Sequence, residues 1–189
     1  VTVLSALSAC AALPGGGSKP LDTYELTAPD THAVRRRARL QILVAEPSAL
    51  KSLDGQNIVV RTGPTAIAYL DGAQWGDRLP KIVQARIAET LQRANAFGGV
   101  GKPGEGLAID YQLVTDIRGF EIVSTGGERA RVALFVRLLN DRNGVVVGEK
   151  LFEADAPVSG SGNDAYVGAL DRAFGEVASD LTAWISGRL

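Results

Sequence analysis

Few residues of this 189-residue chain pair a reactive type with a spacing that would use it, and Cys10 is the best placed. Val1-Thr2-Val3-Leu4-Ser5-Ala6-Leu7-Ser8-Ala9-Cys10 is apolar and small, then yields at once to Pro14-Gly15-Gly16-Gly17-Ser18-Lys19-Pro20. Small side chains before the Cys admit a peptidase to the backbone, and only a thiol can form the thioether to diacylglycerol. Residues 1–9 are therefore read as the end of a signal peptide, and 10–22 as a lipidated Cys with its flexible tether. A buried Cys is the competing reading, since free thiols usually are buried. The flanks here carry no helix or strand period to support it. Each buried methylene is worth about 0.8 kcal/mol, so the two or three acyl chains of such an anchor hold where one would not.

Leu7-Ser8-Ala9-Cys10 resembles the bacterial lipobox, and the lack of Asp after the Cys, where Ala11 stands, resembles sorting to the outer membrane. The missing initiator Met and basic leader are expected of a precursor trimmed at its start.

Other constellations are weaker. Gly99-Val100-Gly101-Lys102-Pro103-Gly104 has the letters of a dinucleotide loop. Such a loop must leave a strand and open a helix, so that helix amides meet the pyrophosphate. Here the order is helix then strand, and a flexible connector is expected. Pro103 also stands where a phosphate loop would place a Ser or Thr for magnesium. His32 is the sole His, in the polar run Pro29-Asp30-Thr31-His32, with no serine elbow or HExxH helix near it. One Cys and no Met leave no disulfide or paired-cysteine metal site within one chain. The acidic residues are spread singly and give a two-carboxylate hydrolase no positive support. No catalytic residue, metal ligand or cofactor is expected.

Arg35-Arg36-Arg37-Ala38-Arg39 is the densest charge. It suits a solvated strand start that discourages edge pairing, and it also suits contact with anionic headgroups or an acidic partner. Trp75 is equally open between partner contact and core, because aromatics dominate interface hot spots. Trp184 falls on an apolar helical stripe, which favours core.

These residues need a scaffold, and the composition allows one. Lys and Arg number 20 against 21 Asp and Glu, so the basic excess of a nucleic-acid binder is missing. The hydrophobic share of 46% fits one globular domain over 23–189. No apolar run reaches the eighteen or so residues of a spanning helix. Strands are expected at Tyr24-Glu25-Leu26-Thr27, Arg39 to Glu46, Asn57 to Arg61 and Thr65 to Leu70, with Gly63-Pro64 turning between the last two. A helix is expected from the Trp75-Gly76-Asp77-Arg78-Leu79-Pro80 block to about Phe97, with Asp77 as N-cap and Gly98-Gly99 as its stop. Its stripe is Ile82, Val83, Ile87, Leu91 and Ala94. Long strands follow over Leu107 to Val123, Arg129 to Asn140 and Val145 to Ala156. Gly119 marks a bulge, and Asp141-Arg142-Asn143-Gly144 a hairpin turn. Gly160-Ser161-Gly162-Asn163 opens a last helix with Val167, Leu170, Phe174, Val177, Leu181, Trp184 and Ile185 on one stripe. The expected fold is α+β: a two-layer sandwich, a mostly antiparallel sheet with two amphipathic helices on one face.

In this order the elements resemble the ABC-type transport auxiliary lipoprotein family, to which the paraquat-inducible C lipoprotein belongs. The matching pieces are the lipobox, the Gly/Pro tether, a first Tyr-x-Leu strand, Val44-Ala45-Glu46-Pro47, and Tyr69 through Trp75 to Asp77-x-Leu79-Pro80. The resemblance implies an outer-membrane lipoprotein on the periplasmic side that partners an MCE-domain protein of an ABC transporter. That system would carry phospholipid or other hydrophobic molecules between membranes. Cys10 alone transfers as a functional position; Trp75, Asp77, Leu79 and Pro80 transfer as markers. A free-standing envelope-maintenance lipoprotein is the alternative, and homo-oligomerisation stays open.

Overall fold

The computed structural model describes residues 20–31 and 34–189. Cys10, most of the tether and His32 lie outside the described residues. The elements run β1 (Asp22–Tyr24), β2 (Arg37–Val44), β3 (Ser48–Ala49), β4 (Asn57–Arg61), β5 (Ile67–Trp75), α1 (Leu79–Arg93), β6 (Phe97–Gly101), β7 (Tyr111–Val123), β8 (Arg129–Asn140), β9 (Val146–Pro157) and α2 (Asn163–Arg188).

β7 is the spine of one mixed sheet. On one edge it pairs antiparallel with β8, and β8 with β9, in two long ladders. Along its other edge β2, β3 and β4 follow one another parallel to it, opposite Tyr111–Leu113, Asp116–Ile117 and Glu121–Val123. The sheet is therefore more mixed than alternation alone implies. A chain laid down in successive short pieces beside one long strand keeps a single direction, so those ladders are parallel. β5 folds back on β4, β1 joins β5 in parallel, and β6 adds outside β2. The bulge expected at Gly119 is present: the register slips between Ile117 and Gly119. Gly144, at φ 69°, serves the expected hairpin turn.

Both helices cover the same face. Val132, Leu134, Val136 and Leu138 of β8 point inward by strict alternation and are buried. They meet Leu170, Phe174, Val177, Leu181 and Ile185 of α2, while Leu79, Val83, Ile87 and Leu91 of α1 close the same core.

Four details of the sequence reading are corrected. β5 runs on to Trp75, so α1 begins only at Leu79. Arg78, not Asp77, is its N-cap residue; the Asp77 carboxylate accepts from the Arg78 amide instead of reaching into the first turn. α1 stops at Arg93 because Asn95 takes a left-handed φ of 49° just past its cap, a position that Asn tolerates. Gly98 and Gly99 are consequently free to enter β6, so the GxGxxG run is half strand rather than all connector.

The stretch after β1 is a strap rather than a strand. Tyr24 Oη donates to Asp164 Oδ1 (2.6 Å), Thr27 bonds Asp171, and the Ser186 hydroxyl donates to the Arg35 carbonyl (2.7 Å). From α1, Arg86 pairs with Glu25 (2.6 Å) and Arg93 donates to the Ala28 carbonyl (2.9 Å). The partners advance together, so both helices and the strap share one direction. Leu26 and Ala28 of the strap itself are buried.

Candidate functional site

The strap fixes where the functional candidates lie. Asp22 pairs with Ala73, and Asn163 at the start of α2 donates to the Asp71 carbonyl (3.1 Å). Pro20 and Leu21 therefore sit at the N-terminal end of α2. The Arg35 carbonyl is held at Ser186, near the C-terminal end of the same helix. Between Asp164 and Ser186 the helix rises roughly 33 Å at 1.5 Å per residue. The arginine cluster and the start of the described chain are thus at opposite ends of the body, although they are close in sequence.

Arg35, Arg36 and Arg39 are exposed. The β2–β6 register shifts between Arg37 and Gln41, which leaves Ala38 and Arg39 off the regular ladder, as bulges re-aim side chains elsewhere. Gly98 makes this possible, because a Cβ there would collide with the Ala38 carbonyl. Among the described residues Arg35, Arg36, Arg37 and Arg39 form no ion pair, whereas Arg61, Arg78, Arg86, Arg93, Arg118, Arg129, Arg131 and Arg142 all do. Arg37 differs from its neighbours: its Nε is buried without a hydrogen-bond partner among the described residues. At the same end Arg188 lies over the Trp184 ring (5.5 Å) and Lys150 over Phe152 (4.7 Å), with Phe152 and Trp184 edge to face.

Trp75 is removed from the candidate contacts. It is 1% exposed and stands edge-on to Phe120 (5.8 Å, 82°), which in turn meets Phe174. Aromatic burial of this kind pins the sheet to α2 and leaves no surface for a partner. Trp184 is half-buried, so the core reading holds for part of its ring.

The helix-free face of the sheet holds a pairing that the sequence reading missed. Glu121 is 3% exposed and receives Arg61 in a two-point bond, Nε to Oε1 at 2.7 Å and Nη2 to Oε2 at 2.8 Å. That hydrogen bond, set against partial burial, raises the Arg61 pKa above its ordinary value. Arg131 is likewise raised by its bond to Glu153 (2.7 Å), and Arg118 stacks on Phe135 (4.0 Å). Arg61, Arg118, Glu121, Arg131 and Glu153 line an open groove of about 390 Å³. The signal in the sequence was a carboxylate inside the apolar run Phe120-Glu121-Ile122-Val123. Gln84 was missed in the same way: it is buried on α1 and donates to the Val44 carbonyl (2.9 Å) at the end of β2.

Between helices and sheet the space is filled by packed side chains. The grooves beside Arg61, beside Asp110 and Arg142, and beside Glu25 and Arg93 are open and lined by charged groups. Among the described residues no helix is long and apolar enough to cross a membrane.

Comparison with known proteins places this architecture. A curated protein of Bradyrhizobium diazoefficiens, itself uncharacterised, is 30% identical over 175 residues, covering 89% of this chain and 46% of its own length. The chain therefore spans about half of that relative. A crystal structure from Xanthomonas campestris superposes with a TM-score of 0.80 at 24% identity, over 88% of this chain and 95% of that one. A Chlamydia trachomatis protein shares the fold at a TM-score of 0.54 and 10% identity, over 79% of this chain and 99% of its own. The family model for the ABC-type transport auxiliary lipoprotein component matches residues 24–182, from the last residue of β1 to the buried Thr182 of α2. The chain belongs to the ABC-type transport auxiliary lipoprotein family.

Proposed function

We propose that the chain is a non-catalytic lipoprotein subunit of an MCE-type ABC transport system, held on the periplasmic face of the outer membrane by acyl chains on Cys10. On this reading it docks the periplasmic MCE assembly, which moves phospholipid or other hydrophobic molecules between the inner and outer membranes. The observation that carries the proposal is the filled interior: Phe120, Phe174, Leu134 and Leu181 meet in the space a carried lipid would need. A body packed in this way acts by position. Family membership supports the transport setting. Self-association belongs to the same proposal; PelC of Paraburkholderia phytofirmans, which shares the fold at a TM-score of 0.51 and 15% identity, is a dodecamer.

The test is an affinity pull-down of the tagged, acylated protein from detergent-solubilised envelopes, with mass spectrometry of Cys10. The expected result is an acylated thiol and co-purifying MCE and ATPase subunits. An acylated protein that brings down no transporter subunit would favour the free-standing envelope lipoprotein. An unmodified Cys10 in native material would end the anchoring proposal.

A further inference from the structure

We infer that Arg35, Arg36 and Arg39, with Arg188 at the same end of α2, form the docking surface for an acidic segment of a periplasmic protein. The inference rests on the docking role proposed above and deepens it by naming the surface and the chemistry it recognises.

Charge complementarity selects the occupant. Eight other arginines have a carboxylate within ion-pair distance, while among the described residues Arg137, Arg172 and Arg188 do not. This fold thus neutralises most guanidinium groups outside the cluster internally, and only 35–39 concentrates several unpaired ones in one short run. The three exposed arginines of the cluster lack such a partner among the described residues. Guanidinium groups offer a planar fork of donors that matches carboxylates two bonds at a time. Their placement is built into the backbone: the slipped β2–β6 register leaves Arg39 off the ladder, and the Ser186 hydroxyl holds the Arg35 carbonyl to α2. A cluster displayed for the anchoring membrane would be expected beside the tether. This one lies roughly 33 Å along α2 from the end where Pro20 sits. That distance favours a protein facing the far end over the lipid surface that holds the near one.

The experiment uses the full chain carrying Cys10→Ser, so that acyl chains contribute nothing, and a fluorescently labelled oligo-glutamate peptide as probe. Anisotropy should report binding that weakens about tenfold or more in Arg35→Gln/Arg36→Gln/Arg39→Gln. It should also weaken as salt brings the screening length down to about 8 Å. Lys51→Gln/Lys81→Gln, which removes two exposed cations elsewhere, should bind as the unsubstituted chain does. Arg36→Gln alone, at an exposed side chain, gives a smaller loss in the same direction and covers the case in which the triple variant misfolds.

Equal binding by folded cluster variants would overturn the inference. So would recruitment to phosphatidylglycerol vesicles that depends on these arginines and displaces the peptide, which would make a membrane the occupant. The acylated full chain separates this failure from failure of the wider proposal. If the triple variant still brings down MCE subunits as efficiently as the unsubstituted chain, the arginine surface is wrong and the transport role stands. If the unsubstituted chain brings down none, the transport role falls and the peptide measurement still decides the surface.

Discussion

Asp171 of α2 takes both the backbone N–H and the hydroxyl of Thr27, each at 2.7 Å, and so clamps the middle of the strap to the longer helix. Between Tyr24 and Pro29 the strap must keep pace with α2 from Asp164 to Gly175, a rise of about 16 Å. Five residues cover that only when nearly extended, at roughly 3.3 Å each. An extended segment has few bonds of its own and depends on such clamps. Asp171→Ala should cost about 1.5 kcal/mol locally. Hydrogen exchange at Leu26 to Ala28 should then rise roughly tenfold while the β8 amides stay protected. Unchanged exchange in the strap would mean that burial of Leu26 alone holds it.

The first clamp makes a pH prediction. Hydrogen bonding to Asp164, with some burial and the carboxylate's charge, pushes the Tyr24 phenol up to about 12 from its usual 10. A group whose pKa is raised on folding adds stability that is complete below its unfolded value. That stability is lost as pH climbs through the folded value. The tie should therefore hold up to about pH 10 and weaken between about 10 and 12. Ultraviolet titration should find the Tyr24 phenol ionising late, together with that of Tyr166, which its hydrogen bond to Glu128 (2.8 Å) also raises, and Asp164→Asn should bring only the Tyr24 phenol back down. Thermal melts should lose the corresponding increment only above pH 10.

Trp75 tests the core reading directly. Trp75→Ala removes a large ring packed against Phe120 and should cost about 3–5 kcal/mol. Melting should fall by about 10 °C, at 2–4 °C per kcal/mol for a chain of this size. In Trp184→Phe the remaining tryptophan emission should be blue-shifted and hard to quench with acrylamide. Easy quenching would return Trp75 to the surface.

Much of this architecture was legible in the sequence because the long elements are periodic. Val132 to Leu138 alternate without a break, the α2 stripe repeats at three and four, and both became core. What failed depended on contacts distant in sequence. Trp75 prolongs β5 because its amide bonds the Gln56 carbonyl (2.7 Å), a partner no local pattern announces. Gly98-Gly99 looked like punctuation because a glycine that admits a neighbouring strand has the same spelling as one that ends a helix. The arginine cluster was visible as charge, but its separation from Pro20 follows from the course of the strap along α2, which no local pattern announces.

Arg61 and Glu121 form a pair whose loss is unequal by partner. Arg61→Gln leaves the Glu121 carboxylate buried with a poorer donor, and should destabilise by about 2 kcal/mol. This is less than a fully enclosed pair would lose, since the Arg61 side chain is 34% exposed. The double change Arg61→Leu/Glu121→Leu should recover much of it, because two apolar side chains can replace a buried ion pair at little cost. Chemical denaturation of the unsubstituted chain, Arg61→Leu, Glu121→Leu and the double variant gives the coupling energy, and strict additivity would show that the bond contributes nothing.

Gly98 and Gly99 are adjacent, yet they should respond differently to the same methyl group. A Cβ on Gly98 meets the Ala38 carbonyl, which is backbone and cannot rotate away. A Cβ on Gly99 meets only the end of the Gln41 side chain, at 3.4 Å. Gly98→Ala should therefore cost about 3 kcal/mol, the upper end for forcing bulk into a packed contact. Gly99→Ala should cost under about 1 kcal/mol, since a restricted unfolded chain offsets a mild contact. β6 is an edge strand, so part of the strain at Gly98 can be relieved by peeling β6 from β2 without unfolding the body. Hydrogen exchange at Val100 and Gly101 should then quicken more than melting falls. Equal effects of the two alanines would mean that β6 does not approach β2 as closely as the fold requires.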